Sequence, residues 1–223
     1  VDVWIKSFGD EAIPYIRHGL DQRRAALPSA ILLAQLGEED REVARTLSNA
    51  IEQGRNAALA AAALSEMKSP PRNIRGPIEA IARDENADPI LRSFAHTVMA
   101  RMNVQPERHY DALFNYLDMS VEDLGLGPRH GIQFKMTILT HCLAQCGPPV
   151  LEELTERIDT DTGLFAALAI ATMSDEYDEA DTAMLPLLTD ENLLIRRAVI
   201  PHLDPDFTKA EDARKLVRQL LGE

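Results

Sequence analysis

Apolar residues recur at i, i+3, i+4 and i+7 along nearly the whole chain, and alternating β-branched runs closed by hairpin turns are all but absent. A helix with one apolar stripe is stable only when that stripe is buried against another element, so the pattern restricts the chain to helices packed on helices. Gly, Pro and Asp divide it into segments of roughly 10 to 16 residues. These pair into hairpins at residues 10–36, 41–67, 73–102, 106–146, 148–173 and 178–203, and a last helix at 208–222 has no partner after it. Periods of about 30 to 40 residues fit stacked helical hairpins and exclude short leucine-rich repeats. The expected fold is all-α, about six antiparallel helix pairs plus a C-terminal capping helix, in a single domain over residues 1–223.

Internal repetition supports stacking. "AIPYIRHGLDQRRAALP" in the first hairpin corresponds to "MLPLLTDENLLIRRAVIP" in the sixth, with Pro14 opposite Pro186 and Pro28 opposite Pro201 after one inserted residue. A proline inside a helix costs about 3 kcal/mol because it removes a hydrogen bond and crowds the preceding turn. Its recurrence at matched positions predicts a bend in the first helix of each unit. "LPLLTDENLLIRRAVIPHL" (185–203) and "IEAIARDENADPILRSFAHTVMARM" (78–102) place an acid in the turn and an arginine early in the second helix, and the first of them also has a proline in the first helix. These features resemble HEAT repeats of the kind also found in bilin lyases. The resemblance covers most of the chain. It implies a right-handed α-α superhelix, ion pairs running along the stack, and a concave face of second helices that grips a partner.

Charge and cysteine content narrow the functional classes. With 36 acidic and 23 basic residues the formal charge is −13, which repels a phosphate backbone, so nucleic acid is a disfavoured partner. No stretch approaches the roughly 18 apolar residues of a membrane span, and "VDVWIKSFGDE" lacks the regions of a signal peptide, so a cytoplasmic protein is expected. Because the chain begins with Val1, a longer natural N-terminus stays open. Cys142 and Cys146 sit one helical turn apart and read as free thiols, packed as small hydrophobes, in a reducing compartment.

Aligning the hairpins gives a row of basic residues near the starts of second helices: Arg24, Arg55, Arg92 and Arg197, with Lys135 joining them. Asp21, Glu52, Asp88 and Asp190 stand in the turns before four of them. The row reads either as ion pairs fixing the turns or as an anion-binding line, which the fifth hairpin, "TGLFAALAI", interrupts. "MSVEDLGLGPRHG" (119–131) is longer than a hairpin turn requires, and it reads either as a mount for functional groups, which concentrate on such loops, or as an insertion tolerated without a role. Ser120 and Asp123 have the spacing of an N-cap and its return partner, Gly125, Gly127 and Pro128 end that turn, and Arg129 and His130 follow at the mouth of the next helix. The candidate partner-binding residues are Arg92, His96, Arg129, His130, Lys135 and Arg197.

Catalytic motifs do not emerge. None of the six histidines precedes a glutamate, unlike the His-Glu ligand pairs of HEAT-repeat di-iron hydroxylases, and no phosphate loop or nucleophile elbow occurs, so no metal or cofactor is expected. At the ends, Thr208 and Glu211 open an amphipathic terminal cap, and Trp4, Ile5 and Phe8 either close the first hairpin or contact a further segment or a partner. The favoured function is a scaffold or adaptor for a protein or peptide, with the acidic charge favouring a basic partner. The alternative is a HEAT-like enzyme such as a bilin lyase or an alkylpurine DNA glycosylase. The glycosylase is disfavoured by the acidic charge and the single tryptophan, and neither enzyme has a decisive residue here.

Overall fold

The computed structural model describes residues 9–174 and 176–202. The expected terminal cap at 208–222, and Trp4, Ile5 and Phe8, lie outside the described residues. Among the described residues every regular element is helical. The chain divides into two compact units, Val1–Ala112 and Leu113–Glu223, where the repeat pattern alone treats 1–223 as one array.

In the first unit, 3-10 turns at Gly9–Ala12 and Gly19–Asp21 flank α1 (Ile13–His18). Then follow α2 (Ala26–Gln35), α3 (Arg41–Glu52), α4 (Ala57–Glu66), α5 (Arg75–Arg83), α6 (Pro89–Arg101) and the start of α7 (Pro106–Asp118). Caps set several of these starts. Asp40 accepts the Glu42 and Val43 N–H groups at 2.8 and 3.0 Å, and Asp88 accepts Ile90 N–H at 2.8 Å ahead of Pro89, whose missing N–H costs nothing in the first turn. Within the unit α1 packs on α2, α3 on α4 and α5 on α6, while α2, α4 and α6 also pack successively on one another, as α3 does on α5. Leu33, Leu47, Leu64, Ile78 and Met99 are fully buried between these layers.

The second unit continues from α7 into α8, one helical run made of Pro128–Gln133, a π-helical stretch Phe134–Leu139, and Thr140–Cys146. After it come α9 (Leu151–Glu156), α10 (Gly163–Ser174), α11 (Asp178–Leu187) and α12 (Leu193–Val199), which runs into a 3-10 turn at Ile200–His202. α10, "GLFAALAIATMS", is apolar on every side and is accordingly central, packing against α8, α9, α11 and α12. Gly163 opens it because a Cβ there would lie 1.9 Å from the Ile158 carbonyl oxygen.

The prolines do not share the geometry their alignment predicts. Pro14 lies in the first turn of α1 and Pro28 in that of α2, whereas Pro186 is inside α11 one residue from its end and Pro201 follows α12 in the 3-10 turn. All four sit within a turn of a place where the hydrogen-bond pattern changes, so a missing N–H is least costly there. They punctuate helix ends rather than bending the middle of each first helix.

Candidate functional site

The residues singled out from the sequence fall into two groups, one in each unit. In the first unit, Arg92 is half-buried on α6 and His96 is buried one turn further on, inside an unbroken buried run from Ser93 to Ala100. His96 meets a residue that the sequence reading passed over. Its Nδ1 lies 2.9 Å from Nδ1 of His109, which is also buried and comes from the first part of α7. The ring centroids are 5.2 Å apart and the planes inclined by 49°, so the two nitrogens face each other head-on. Burial, then His109, Arg92 and Arg108, pull the His96 pKa down to about 3. Burial also lowers that of His109, with Arg108 and Arg83 adding to the effect and Glu79 opposing it. Both rings are therefore neutral at physiological pH, and one Nδ1 must carry a proton while the other accepts it.

Arg24 and Arg55 are exposed and lie in the turns before α2 and α4. Two of the turn acids bond to backbone: Asp88 caps α6 in the first unit, and Asp190 in the second accepts Asn192 N–H at 2.7 Å. In the first unit, ion pairs form at other side chains as well. Arg17 joins Glu38, at 2.6 Å, and Asp40, while Glu79 is shared between Arg75 and Arg83. Burial pushes the Asp40 carboxyl up, but the Val43 N–H, Arg17 and the Glu42 N–H outweigh it and hold the group below the usual carboxylate range.

In the second unit, α8 begins at Pro128, so Arg129 and His130 form its first turn, both exposed. Ile132 and Met136 are also exposed on α8, by 49% and 42%, giving a surface of mixed apolar and basic character. Lys135 is not part of that surface. It is buried, and its ammonium donates to the carbonyl of Leu117 at 2.7 Å and to that of Met119, at the C-terminal end of α7, with the Phe165 ring centroid 5.8 Å away. Burial draws its pKa below that of an ordinary lysine, with Asp118 opposing. A cation on the last carbonyls of a helix satisfies orphan acceptors and complements the helix dipole. This ammonium is committed to the fold and is not offered to a partner.

Arg197 is exposed on α12, while its neighbour Arg196 turns back to donate to the carbonyls of Asp190 and Glu191 at 2.5 and 3.2 Å. Arg157 bridges Asp118 at 3.2 Å and Glu153 at 2.9 Å, with its guanidinium 4.9 Å from the Phe114 ring centroid. Cys142 is buried and Cys146 half-buried, and the Cys146 thiol donates to the Cys142 carbonyl at 3.3 Å. Among the described residues no group of three or more His, Cys, Asp or Glu side chains is arranged to hold a metal ion, and no helix is long and apolar enough to cross a membrane. Comparison with protein-family models, curated proteins and solved structures finds no match to this chain.

Proposed function

We propose that the chain is a protein-binding scaffold in which each unit is a short run of HEAT-like helical repeat. The observation that carries this reading is the alternate packing of helices, α2 on α4 on α6 in one unit and α8 on α10 on α12 in the other. In helical repeats such stacking leaves each helix pair with neighbours on two sides and outward surfaces available for a partner. The exposed part of α8, with Arg129, His130, Ile132 and Met136, has the mixture of a flexible apolar side chain, a branched one and forked or titratable donors that protein interfaces favour. Arg197 on α12 and the accessible part of Arg92 on α6 are further candidate contacts within their own units.

The full chain, immobilised and exposed to cell extract, is compared with the double variant Ile132→Asp, Met136→Asp and with Arg129→Glu. The expected result is a reproducible partner kept by the wild type and lost by the variants at unchanged circular dichroism and melting temperature. Retention of the same proteins by all three, or of none by the wild type, refutes this docking role.

A further inference from the structure

The His96–His109 pair has a geometry that fixes its proton chemistry. A centroid separation of 5.2 Å with the nitrogens at 2.9 Å is about the greatest that two rings joined through Nδ1 can reach, so each lone pair or N–H lies along the line between them. A metal ion would require the two lone pairs to converge on a point off that line. Head-on nitrogens instead share a single proton as Nδ1–H···Nδ1.

The neutral pair holds two ring protons, one between the rings and one on Nε2 of the accepting ring. A third can be added on Nε2 of the donating ring without disturbing the bond. A fourth can go only on the accepting Nδ1, where two N–H groups would collide and two imidazolium charges would repel.

The surroundings oppose even the third proton. Arg92 on α6 itself, Arg108 on α7 and Arg83 on α5 act on the pair as cations. Glu79 on α5 is the opposing anion, and it is already shared between Arg75 and Arg83. α4, which also packs on α6, has Glu66 as its one titratable side chain.

We propose that His96 and His109 form a proton-operated clasp between α6 and the first part of α7, closed by one shared proton in neutral solution and loosened in mildly acidic solution. The loosening follows from linkage. In the opened state each ring is hydrated and titrates near its ordinary value, whereas closed His96 does so only near pH 3. Protons therefore favour the open state progressively as pH falls below about 6.5, and His96 alone shifts the equilibrium about 30-fold between pH 7.5 and pH 5. The depressed pKa of His109 acts in the same direction.

Amide hydrogen exchange of the full chain, corrected for the intrinsic pH dependence of exchange, tests this directly. Between pH 7.5 and 5 the peptides covering 89–101 and 106–112 are expected to lose protection by about 30-fold or more, reversibly and beyond any change in α3. In the double variant His96→Gln, His109→Gln that excess loss is expected to vanish. A second measurement needs no variant. Imidazole 15N spectra of the wild type at pH 7.5 should show one protonated and one bare Nδ1, and no ring titrating at 6.5 while the amides of α6 remain protected. Equal loss of protection throughout the unit, persistence of the excess in the double variant, or two rings titrating freely in the protected state would each overturn the clasp.

Discussion

Replacing Lys135 with Met keeps the length and apolar stem of the side chain and removes its ammonium, isolating what that charge contributes. Two acceptors lose their donor, the Leu117 carbonyl at 2.7 Å and the Met119 carbonyl, and the first belongs to a residue that is itself fully buried. Hydrogen bonds to charged groups contribute about 1.5–3 kcal/mol each, the favourable end of the α7 dipole adds about 0.3–1 kcal/mol, and the nearby Phe165 ring about 0.5–1 kcal/mol. Against this stands the desolvation of a buried ammonium, a penalty of several kcal/mol that the depressed pKa of Lys135 signals and that Met does not incur. The balance is a net loss of about 2 kcal/mol, because a carbonyl left unpaired in the interior carries its own penalty of about 1–3 kcal/mol. Urea unfolding followed by circular dichroism measures the difference directly. In a thermal scan it corresponds to a drop of roughly 4–8 °C for a chain of this size. A Met variant equal to or more stable than the wild type would refute the reasoning, since desolvation would then outweigh both carbonyl bonds and the capping would not be a source of stability.

Two glycines on helices are expected to respond with opposite signs. Gly163→Ala should cost about 2 kcal/mol or more, because its Cβ would meet backbone at the Ile158 carbonyl, whereas Gly76→Ala on α5 opens onto free space and should gain about 0.5–1 kcal/mol. Equal melting temperatures for the two variants would contradict this. Asp40→Ala should cost about 0.5–2 kcal/mol through loss of the α3 cap. Because the folded Asp40 pKa lies below 3.8, the cap's contribution is fully present above that pH and is lost as pH falls through the lower folded value. The wild type and variant should therefore converge in acid, and a gap that stays constant down to pH 2 would exclude the assignment. His96→Gln should flatten the dependence of melting temperature on pH between 6.5 and 4. While packed against His109, His96 stays neutral there, whereas the opened or unfolded chain takes up its proton, so wild-type stability declines as pH falls.

Helix positions were legible because periodicity and punctuation agree: α3, α4, α6 and α10 lie within a few residues of their expected spans, and the Ser120–Asp123 turn forms, with Asp123 N–H donating to Ser120 Oγ at 3.1 Å. The Ser120 hydroxyl in turn donates to Asp123 Oδ2 at 2.7 Å, so the return contact is side chain to side chain rather than to the Ser120 N–H of a full capping box. The inward course of Lys135 was not legible. Gly131, Lys135, Leu139 and Leu143 are all buried and step by four, wider than the 3.6-residue turn that the pattern assumes, and the π-helical stretch at Phe134–Leu139 supplies that wider step. An alignment of regular hairpins places Lys135 with the surface arginines, whereas the widened turn puts it on the buried side. The histidine pair was hidden for another reason. His96 and His109 lie on different helices, and no spacing rule within one helix links residues across a turn.

The inward course of Lys135 and the Ser120–Asp123 turn make the long connection before α8 an ordered part of the fold. Its start is held by Lys135 through the Met119 carbonyl, its middle turn by Ser120 and Asp123, and its end by Leu124, which is buried. Val121 packs so tightly on α8 that a Cβ at position 131 would lie 2.2 Å from its Cγ1, which is why that position is glycine. Gly131→Ala therefore must displace a stiff, β-branched side chain and is expected to cost about 1–3 kcal/mol. If Val121 is the obstacle, Val121→Ala in the same chain should recover most of that loss, and a double-mutant cycle measures the coupling. Additive losses would show that the loop does not bear on α8 through this contact. It would then no longer account for the fixed placement of Arg129, His130, Ile132 and Met136 on the outer side of the helix.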